Sequence, residues 1–191
     1  CGIVVAMLGV DGTAYVRADC SVTHATPERW ARAVADAGAK AIATGSYGVA
    51  EANGFTDGET LPLEVALENL HRILSVTDLP VTIDMEAGYG ATPEEVGASV
   101  ARAFQAGAAG INMEDRMPGE TDLLPSAHAA DRFAAAATTG IHVNARTDVY
   151  LGKDPADYSP SMIDEVVGRA RAGRVGHVDR GACFAQQAGD R

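Results

Sequence analysis

The chain has 191 residues and a formal net charge of −11 at pH 7. Hydrophobic residues make up 47% of it and aromatic residues only 5%, so the expected core is aliphatic, as in α/β proteins. The acidic balance and the lack of a basic run argue against nucleic acid or an anionic membrane as partners. No apolar run approaches the roughly twenty residues that a membrane span needs.

The cysteines Cys1, Cys20 and Cys183 are widely spaced and form no C-x-x-C pattern. Neither a disulfide framework nor a zinc knuckle is therefore predicted, and a reducing cytoplasm is the expected compartment. The apolar start lacks a basic leader and an obvious cleavage site, so no signal peptide is predicted. Because the chain does not begin with Met, a fragment or a processed form is expected.

From about residue 26 onward, helical and strand-like segments alternate. Thr26-Pro27-Glu28 predicts a helix start and Gly38 its end. Thr92-Pro93-Glu94-Glu95 predicts a capping box that opens a helix ending at Gly107. Short, mainly apolar runs predict strands at 39–44, 81–85, 108–113 and 141–145, and helical spacing of apolar residues predicts a helix at 61–76. An Ala-rich helix is expected at 126–138, a further helix at 161–172, and a glycine-rich loop at 45–58.

Strands that alternate with helices in this way must run parallel, with right-handed crossovers. A barrel and a doubly wound sheet satisfy the pattern equally well, but the absence of G-x-G-x-x-G and P-loop motifs weakens the nucleotide-binding sheet. Residues 1–25 do not match the repeat, and 173–191 form a Gly- and Arg-rich tail with at most a short strand near 175–178. The predicted domain is therefore 26–172.

Each predicted strand is followed by polar residues. They are Ser46 and Asp57, then Asp84 and Glu86, then Glu114 and Asp115, and finally Arg146 and Asp148. In a closed parallel barrel the carboxyl ends of the strands converge on one mouth, so these side chains are expected to form one site. Asp84 and Glu86, two residues apart, are expected to project to the same side of their strand. Asp115 and Asp148 could instead cap helices.

Convergent carboxylates suit a hard divalent cation such as Mg²⁺. Together with an arginine, such a cation can bind a 2-oxo acid, because the guanidinium forks the carboxylate while the metal takes oxygens. The metal then acts as a Lewis acid that stabilises an enolate while a bond to the neighbouring carbon breaks or forms. Backbone N–H groups around Ser46-Tyr47-Gly48 could bind the anion.

Five ordered motifs resemble the isocitrate lyase/phosphoenolpyruvate mutase superfamily over about residues 30–172. They are Thr44-Gly-Ser-Tyr-Gly-Val-Ala50, Gly54-Phe-Thr-Asp-Gly58, Asp84-Met-Glu-Ala-Gly-Tyr-Gly90, Ala106-Gly-Ala-Ala-Gly-Ile-Asn-Met-Glu-Asp115 and Asn144-Ala-Arg-Thr-Asp148. The resemblance implies a (β/α)₈ TIM-type barrel, a homo-oligomer, and Mg²⁺ or Mn²⁺ with a small 2-oxo or 2-hydroxy acid at the mouth.

The resemblance also implies roles for individual residues. Asp84 would contact the metal, and Glu86 and Glu114 would hold its water ligands. Asp57 would lie beside the metal and its waters as a catalytic residue. Arg146 would bind the substrate carboxylate and take part in catalysis, and Ser46, Tyr47 and Gly48 would form the anion-binding turn.

The loop after the third predicted strand departs from the family pattern. Arg116-Met-Pro-Gly-Glu-Thr-Asp-Leu-Leu124 has neither the Cys and His of isocitrate and methylisocitrate lyases nor the Lys of the mutases and phosphonopyruvate hydrolases. The sequence thus resembles a poorly defined bacterial branch. Because the family barrel continues for three or four further units, a truncated chain with an incomplete barrel of about four to five βα units is expected.

The predicted function is a Mg²⁺-dependent lyase or mutase acting at C–C or C–P bonds of small 2-oxo or 2-hydroxy acids. Two alternatives stay open at this stage. One is a truncated, non-catalytic member of the superfamily, and the other is an acidic metal- or anion-binding module without turnover.

Overall fold

The computed structural model describes residues 26–173 in full and residues 4–6 and 16–17 as backbone. Six strands form one sheet in the order β2-β1-β3-β4-β5-β6. The strands are β1 (Val4–Ala6), β2 (Val16–Arg17), β3 (Ile42–Thr44), β4 (Val81–Asp84), β5 (Gly110–Glu114) and β6 (His142–Arg146). The helices are α1 (Pro27–Asp36), α2 (Ser46–Ala52), α3 (Leu63–Leu74), α4 (Pro93–Gln105), α5 (Ser126–Ala137) and α6 (Pro160–Ala172), with a 3₁₀ turn at Pro155–Asp157.

Strands β3 to β6 run parallel and neighbour one another in chain order, as predicted. Val81 and Ile83 of β4 are buried beneath the helices, whereas the alternate residues Thr82 and Asp84 are only half-buried. The main core lies between the sheet and helices α1, α3, α4 and α5 and is aliphatic. One face of the parallel sheet thus carries the core, and the other carries polar side chains at the strand ends.

The predicted helix ends agree with the structure to within a few residues. Thr92 and Glu95 form the predicted capping box: the Glu95 N–H donates to Thr92 Oγ1 at 3.2 Å, and the Thr92 N–H donates to Glu95 Oε2 at 3.0 Å. Gly107, just beyond α4, has a φ of +98°, which a residue with a side chain rarely adopts. Among the helices of the described part, none combines the length and apolar content that crossing a bilayer requires.

Two expectations about local structure need correction. The predicted glycine-rich loop 45–58 begins with helix α2, which is stabilised because Val49 and Ala50 pack with Leu61 in a small separate cluster. Residues 4–6 and 16–17, where no strand was expected, extend the sheet: β1 runs antiparallel to β3, and β2 runs antiparallel to β1. Strands this short show no periodicity in sequence. The strand predicted near 175–178 lies outside the described residues.

Candidate metal and anion site

A ladder of polar side chains crosses the exposed face of the sheet. Asp84 pairs in register with Asn112, and Asn112 with Asn144. Asn112 Nδ2 donates to Asp84 Oδ1 at 3.4 Å, and Asn144 Nδ2 donates to Asn112 Oδ1 at 2.7 Å. The ladder ends at the Asp84 carboxylate, where β4 meets the start of α2.

Backbone N–H groups orient the Asp84 carboxylate. The Ser46 N–H donates to Asp84 Oδ2 at 3.2 Å, and the Glu86 N–H donates to Oδ1 at 3.1 Å. Ser46 is the first residue of α2, so its N–H has no acceptor within the helix. Tyr47 is 55% exposed and its hydroxyl bonds Glu51, while Gly48 is buried within α2.

All three non-glycine residues with positive φ in the described part of the chain lie together near Asp84. They are Glu59, Glu86 and Tyr89, with φ of +54°, +49° and +52°. The Glu59 N–H donates to Glu86 Oε2 and the Tyr89 N–H donates to Glu59 Oε1, both at 2.9 Å. Backbone strain of this kind clusters at functional sites and persists only where surrounding contacts hold it.

Four carboxylates, Asp57, Glu59, Asp84 and Glu86, form what we call the acidic cluster. Glu86 is only 5% exposed, and burial raises its pKa to about 7 against the opposing hydrogen bond from the Glu59 N–H. The charges of Asp57, Asp84 and Glu59 raise the pKa of Glu86 further. Burial also raises the pKa of Glu59. Burial and like charge therefore both disfavour full ionisation of the cluster, while the charge of Arg132 opposes the rise in the pKa of Glu59.

The expectation that alternation along a strand brings Asp84 and Glu86 together needs correction. Strand β4 ends at Asp84, and the left-handed conformation of Glu86 breaks the alternation. The two side chains still belong to one cluster, but the turn and the contact with Glu59 bring them there. Asp57 lies on the exposed side of the cluster, in the turn before α3.

Glu114 and Arg146 are register partners at the carboxyl ends of β5 and β6 and form an ion pair. Asp148 also holds the guanidinium, accepting from Nε at 2.7 Å and from an Nη at 3.2 Å. Arg146 remains 27% exposed, so it stays accessible from the strand ends. The Glu114 N–H donates to the Glu86 carbonyl at 2.8 Å, which ties this pair to the acidic cluster.

Asp115 and Asp148 are buried, at 2% and 4% exposure. The Asp115 carboxylate caps no helix and instead accepts hydrogen bonds from the Thr147 hydroxyl, the Asp148 N–H and Arg169 Nη1. It therefore binds the ends of β5 and β6 and helix α6 together. Asp148 orients Arg146 rather than facing open space.

The sequence patterns assigned no role to Glu59, Asn112, Asn144 or Arg132, although the two asparagines lie within the quoted motifs. The asparagines precede Glu114 and Arg146 by two positions, so strand alternation was a usable signal for them. Glu59 follows the Gly54–Gly58 motif directly. Arg132 in α5 donates to three backbone carbonyls of the loop after β4, and nothing in the helical pattern indicates that contact.

The described residues contain no group of three His, Cys, Asp or Glu side chains placed to enclose a metal ion directly. Mg²⁺ commonly keeps several waters and binds proteins through one or two carboxylates. A set of neighbouring carboxylates, which are hard oxygen donors, fits that mode of binding. Asp84, whose carboxylate lies at the end of β4, would be the direct ligand, and Glu86 and Glu114 would hold waters of the bound ion.

Parallel βα units with an acidic site at the carboxyl ends of their strands are typical of the barrel class of α/β proteins. The sequence model described as Phosphoenolpyruvate phosphomutase matches residues 28–176. This match covers most of the chain, so the chain belongs to the phosphoenolpyruvate phosphomutase family, within the phosphoenolpyruvate mutase/isocitrate lyase superfamily. The four parallel strands thus form part of a TIM-type barrel.

Known relatives agree with this assignment. A provisionally named phosphonomutase from Burkholderia cenocepacia J2315 is 44% identical, with a TM-score of 0.74 over 78% of this chain and 62% of that one. A phosphoenolpyruvate phosphomutase from Streptomyces platensis subsp. rosaceus is 25% identical, with a TM-score of 0.66 over 78% and 53%. The 2-methylisocitrate lyase of Escherichia coli K12 is 29% identical over 76% of this chain and 49% of its own. The chain therefore spans about half the length of the curated relatives it matches.

Proposed function

We propose that the chain carries the metal-binding part of a Mg²⁺- or Mn²⁺-dependent lyase or mutase that acts at C–C or C–P bonds of small 2-oxo or 2-hydroxy acids. The observation that carries the proposal is the acidic cluster, held by three strained non-glycine residues beside the strand ends. A fold does not keep strain and buried like charges together unless they have a use or strong compensation.

The metal assignment rests on the chain's own carboxylates. Asp84 is oriented by backbone N–H groups, and burial together with three neighbouring carboxylates raises the pKa of Glu86, a cost that a bound cation would relieve. Among proteins of this fold, a phosphonopyruvate hydrolase 23% identical to this chain was solved in complex with oxalate and Mg²⁺. When bound, Mg²⁺ would supply Lewis-acid stabilisation of negative charge on substrate oxygens.

Arg146 is the proposed binding group for the substrate carboxylate. Its guanidinium is held in one plane by two hydrogen bonds to Asp148, and planar guanidinium groups bind carboxylates through paired hydrogen bonds. Ser46 and Asp57 lie next to the metal-binding carboxylates, as a substrate-contacting residue and a polar neighbour of the bound waters. The proposal includes both lyase and mutase chemistry because the similar proteins include a 2-methylisocitrate lyase, a phosphonomutase and a phosphoenolpyruvate phosphomutase.

A second candidate function is cation binding without turnover. It is favoured by the ion pairs of Arg146, because Glu114 and Asp148 already occupy the guanidinium and a substrate carboxylate must compete with them. The two functions differ in one measurable respect. Both predict that the metal binds, but only the first predicts product release that depends on Arg146.

Metal binding is tested by calorimetric titration of the metal-free chain with Mg²⁺ and Mn²⁺. Asp84→Asn should lower the affinity by about tenfold or more, because it replaces a charged carboxylate ligand with a neutral amide oxygen, and loss of groups behind metal ligands alone commonly costs about 10–100-fold. Asp36→Asn, at the exposed end of α1, is the matched control and should bind as the unsubstituted chain does. Unchanged affinity in Asp84→Asn would overturn the assignment.

Turnover is tested by a coupled assay for released pyruvate or glyoxylate. The substrates are 2-hydroxy dicarboxylates, oxaloacetate and phosphonopyruvate. We expect weak turnover that Arg146→Ala abolishes, because positioning contributes much of the rate and this chain spans only about half of its relatives. Metal binding without any turnover favours the second candidate, and turnover that survives Arg146→Ala contradicts the role given to Arg146.

A further inference from the structure

The loop that follows β4, residues 87–91, has an unusual backbone. Gly88 and Tyr89 have φ of +103° and +52°, and Glu86 just before them has +49°. Left-handed conformations cost about 1–2 kcal/mol for residues that carry a side chain. Contacts from elsewhere in the fold must therefore hold this loop in its observed shape.

Arg132 supplies three of these contacts from helix α5. Its Nη1 donates to the Ala91 carbonyl at 2.9 Å, and its Nη2 donates to the carbonyls of Ala87 and Gly90 at 2.7 and 2.8 Å. Arg132 is only 1% exposed, so its charged guanidinium is buried and donates to backbone oxygens. The planar fork of an arginine can reach several acceptors at once, which the single ammonium of a lysine does less well.

The same loop is linked to the acidic cluster. The Tyr89 N–H donates to Glu59 Oε1, and the Glu59 N–H in turn donates to Glu86 Oε2. The Glu86 carbonyl accepts from the Glu114 N–H at 2.8 Å. A change in the path of the loop would therefore move the Glu86 carboxylate and loosen its link to the end of β5.

We propose that Arg132 is a positioning residue for the acidic cluster: it fixes loop 87–91 and thereby sets the affinity of the cluster for a divalent cation. The inference rests on the proposed function, since it concerns the same site. The hydrogen bonds of the Arg132 side chain go to backbone carbonyls of the loop, and its charge lowers the pKa of Glu59 against the effect of burial. Removing that positive charge alone would favour a bound cation, so weaker binding in an uncharged variant would report the lost hold on the loop.

A purely structural arginine would behave differently from a positioning residue. Its loss would lower the free energy of unfolding, but the protein that remains folded would bind the cation as before. The decisive measurement is therefore the affinity for Mn²⁺, determined at a temperature where each variant is folded. Mn²⁺ alone serves as the probe, with binding followed by electron paramagnetic resonance of the free ion and by calorimetry.

The variants are Arg132→Met and Arg132→Lys, with Phe133→Leu as the matched control. Phe133 is the next residue of α5, is 7% exposed and packs in the main core. Its variant therefore destabilises the same helix, and its side chain has no donor that could hold the carbonyls of loop 87–91. We expect Arg132→Met to weaken Mn²⁺ binding about tenfold or more and Arg132→Lys to weaken it less, in line with losses seen when groups behind metal ligands are removed. Phe133→Leu should lower stability and leave the affinity within about twofold.

Several outcomes decide the matter. If folded Arg132→Met binds Mn²⁺ as tightly as the unsubstituted chain, or if Phe133→Leu loses as much affinity, the positioning role is wrong and the proposed function stands. If Arg132→Met does not fold, Arg132→Lys carries the test, and full affinity in that variant overturns the inference. If the unsubstituted chain binds no Mn²⁺, the proposed function itself fails, and the inference fails with it.

Discussion

Substituting Glu86 by Gln should stabilise the metal-free protein in alkaline solution but not in acid. Glu86 is 5% exposed, and burial together with three neighbouring carboxylates raises its pKa from 4.5 to about 7. Glutamine is close to protonated glutamate in shape and can still accept the hydrogen bond from the Glu59 N–H. The substitution therefore removes the charge and keeps most of the packing.

The direction of this pH effect follows from proton binding by the folded and the unfolded protein. Between pH 4.5 and about 7 the folded protein keeps a proton on Glu86 that the unfolded chain has lost, so stability falls as the pH rises through this window. Below 4.5 both states are protonated, and above about 7 both are ionised. The rise in the pKa of Glu86 corresponds to about 3 kcal/mol, of which about 2.5 kcal/mol falls between pH 5 and pH 8.

The assay is urea unfolding of both proteins at pH 5 and pH 8 in the presence of a chelator. From pH 5 to pH 8, the free energy of unfolding of Glu86→Gln should rise by about 2.5 kcal/mol relative to that of the unsubstituted chain. Glu120→Gln removes an exposed carboxylate and should show a much smaller shift, because water solvates that charge. A difference for Glu86→Gln that is equal at both pH values would refute the reasoning.

Two further predictions concern packing and assembly. A Cβ on Gly90 would lie 2.6 Å from the Val96 nitrogen, so Gly90→Ala should lower the free energy of unfolding by about 1–3 kcal/mol in the same urea experiment. Gly168→Ala is the control: a Cβ there, in helix α6, has open space, so the variant should be neutral or stabilising. Within the described residues β6 pairs only with β5, so its free edge should mediate self-association. Sedimentation should show oligomers that His142→Lys reduces, and a monodisperse monomer would contradict this.

Local patterns were sufficient for the order and type of most elements. Apolar patterns predicted helices α3, α5 and α6 and strands β3 to β6, start and stop residues predicted α1 and α4, and the alternation of helices and strands predicted a parallel sheet. Thr92 and Glu95 predicted their own capping box because both partners lie within one helical turn. Helix α2 was missed because it is short and packs only as a small separate cluster.

The sequence also predicted that the acids and the arginine lie together, because each follows a strand and the carboxyl ends of parallel strands share one edge of the sheet. How these groups are oriented depends on residues far apart in the chain. Glu86 is held by Glu59, and its loop is held by Arg132, 45 positions after Ala87. The ladder through Asn112 exists only because strand register brings it opposite Asp84. Periodicity carries no information on such contacts, since register and left-handed turns are selected by packing of the whole fold.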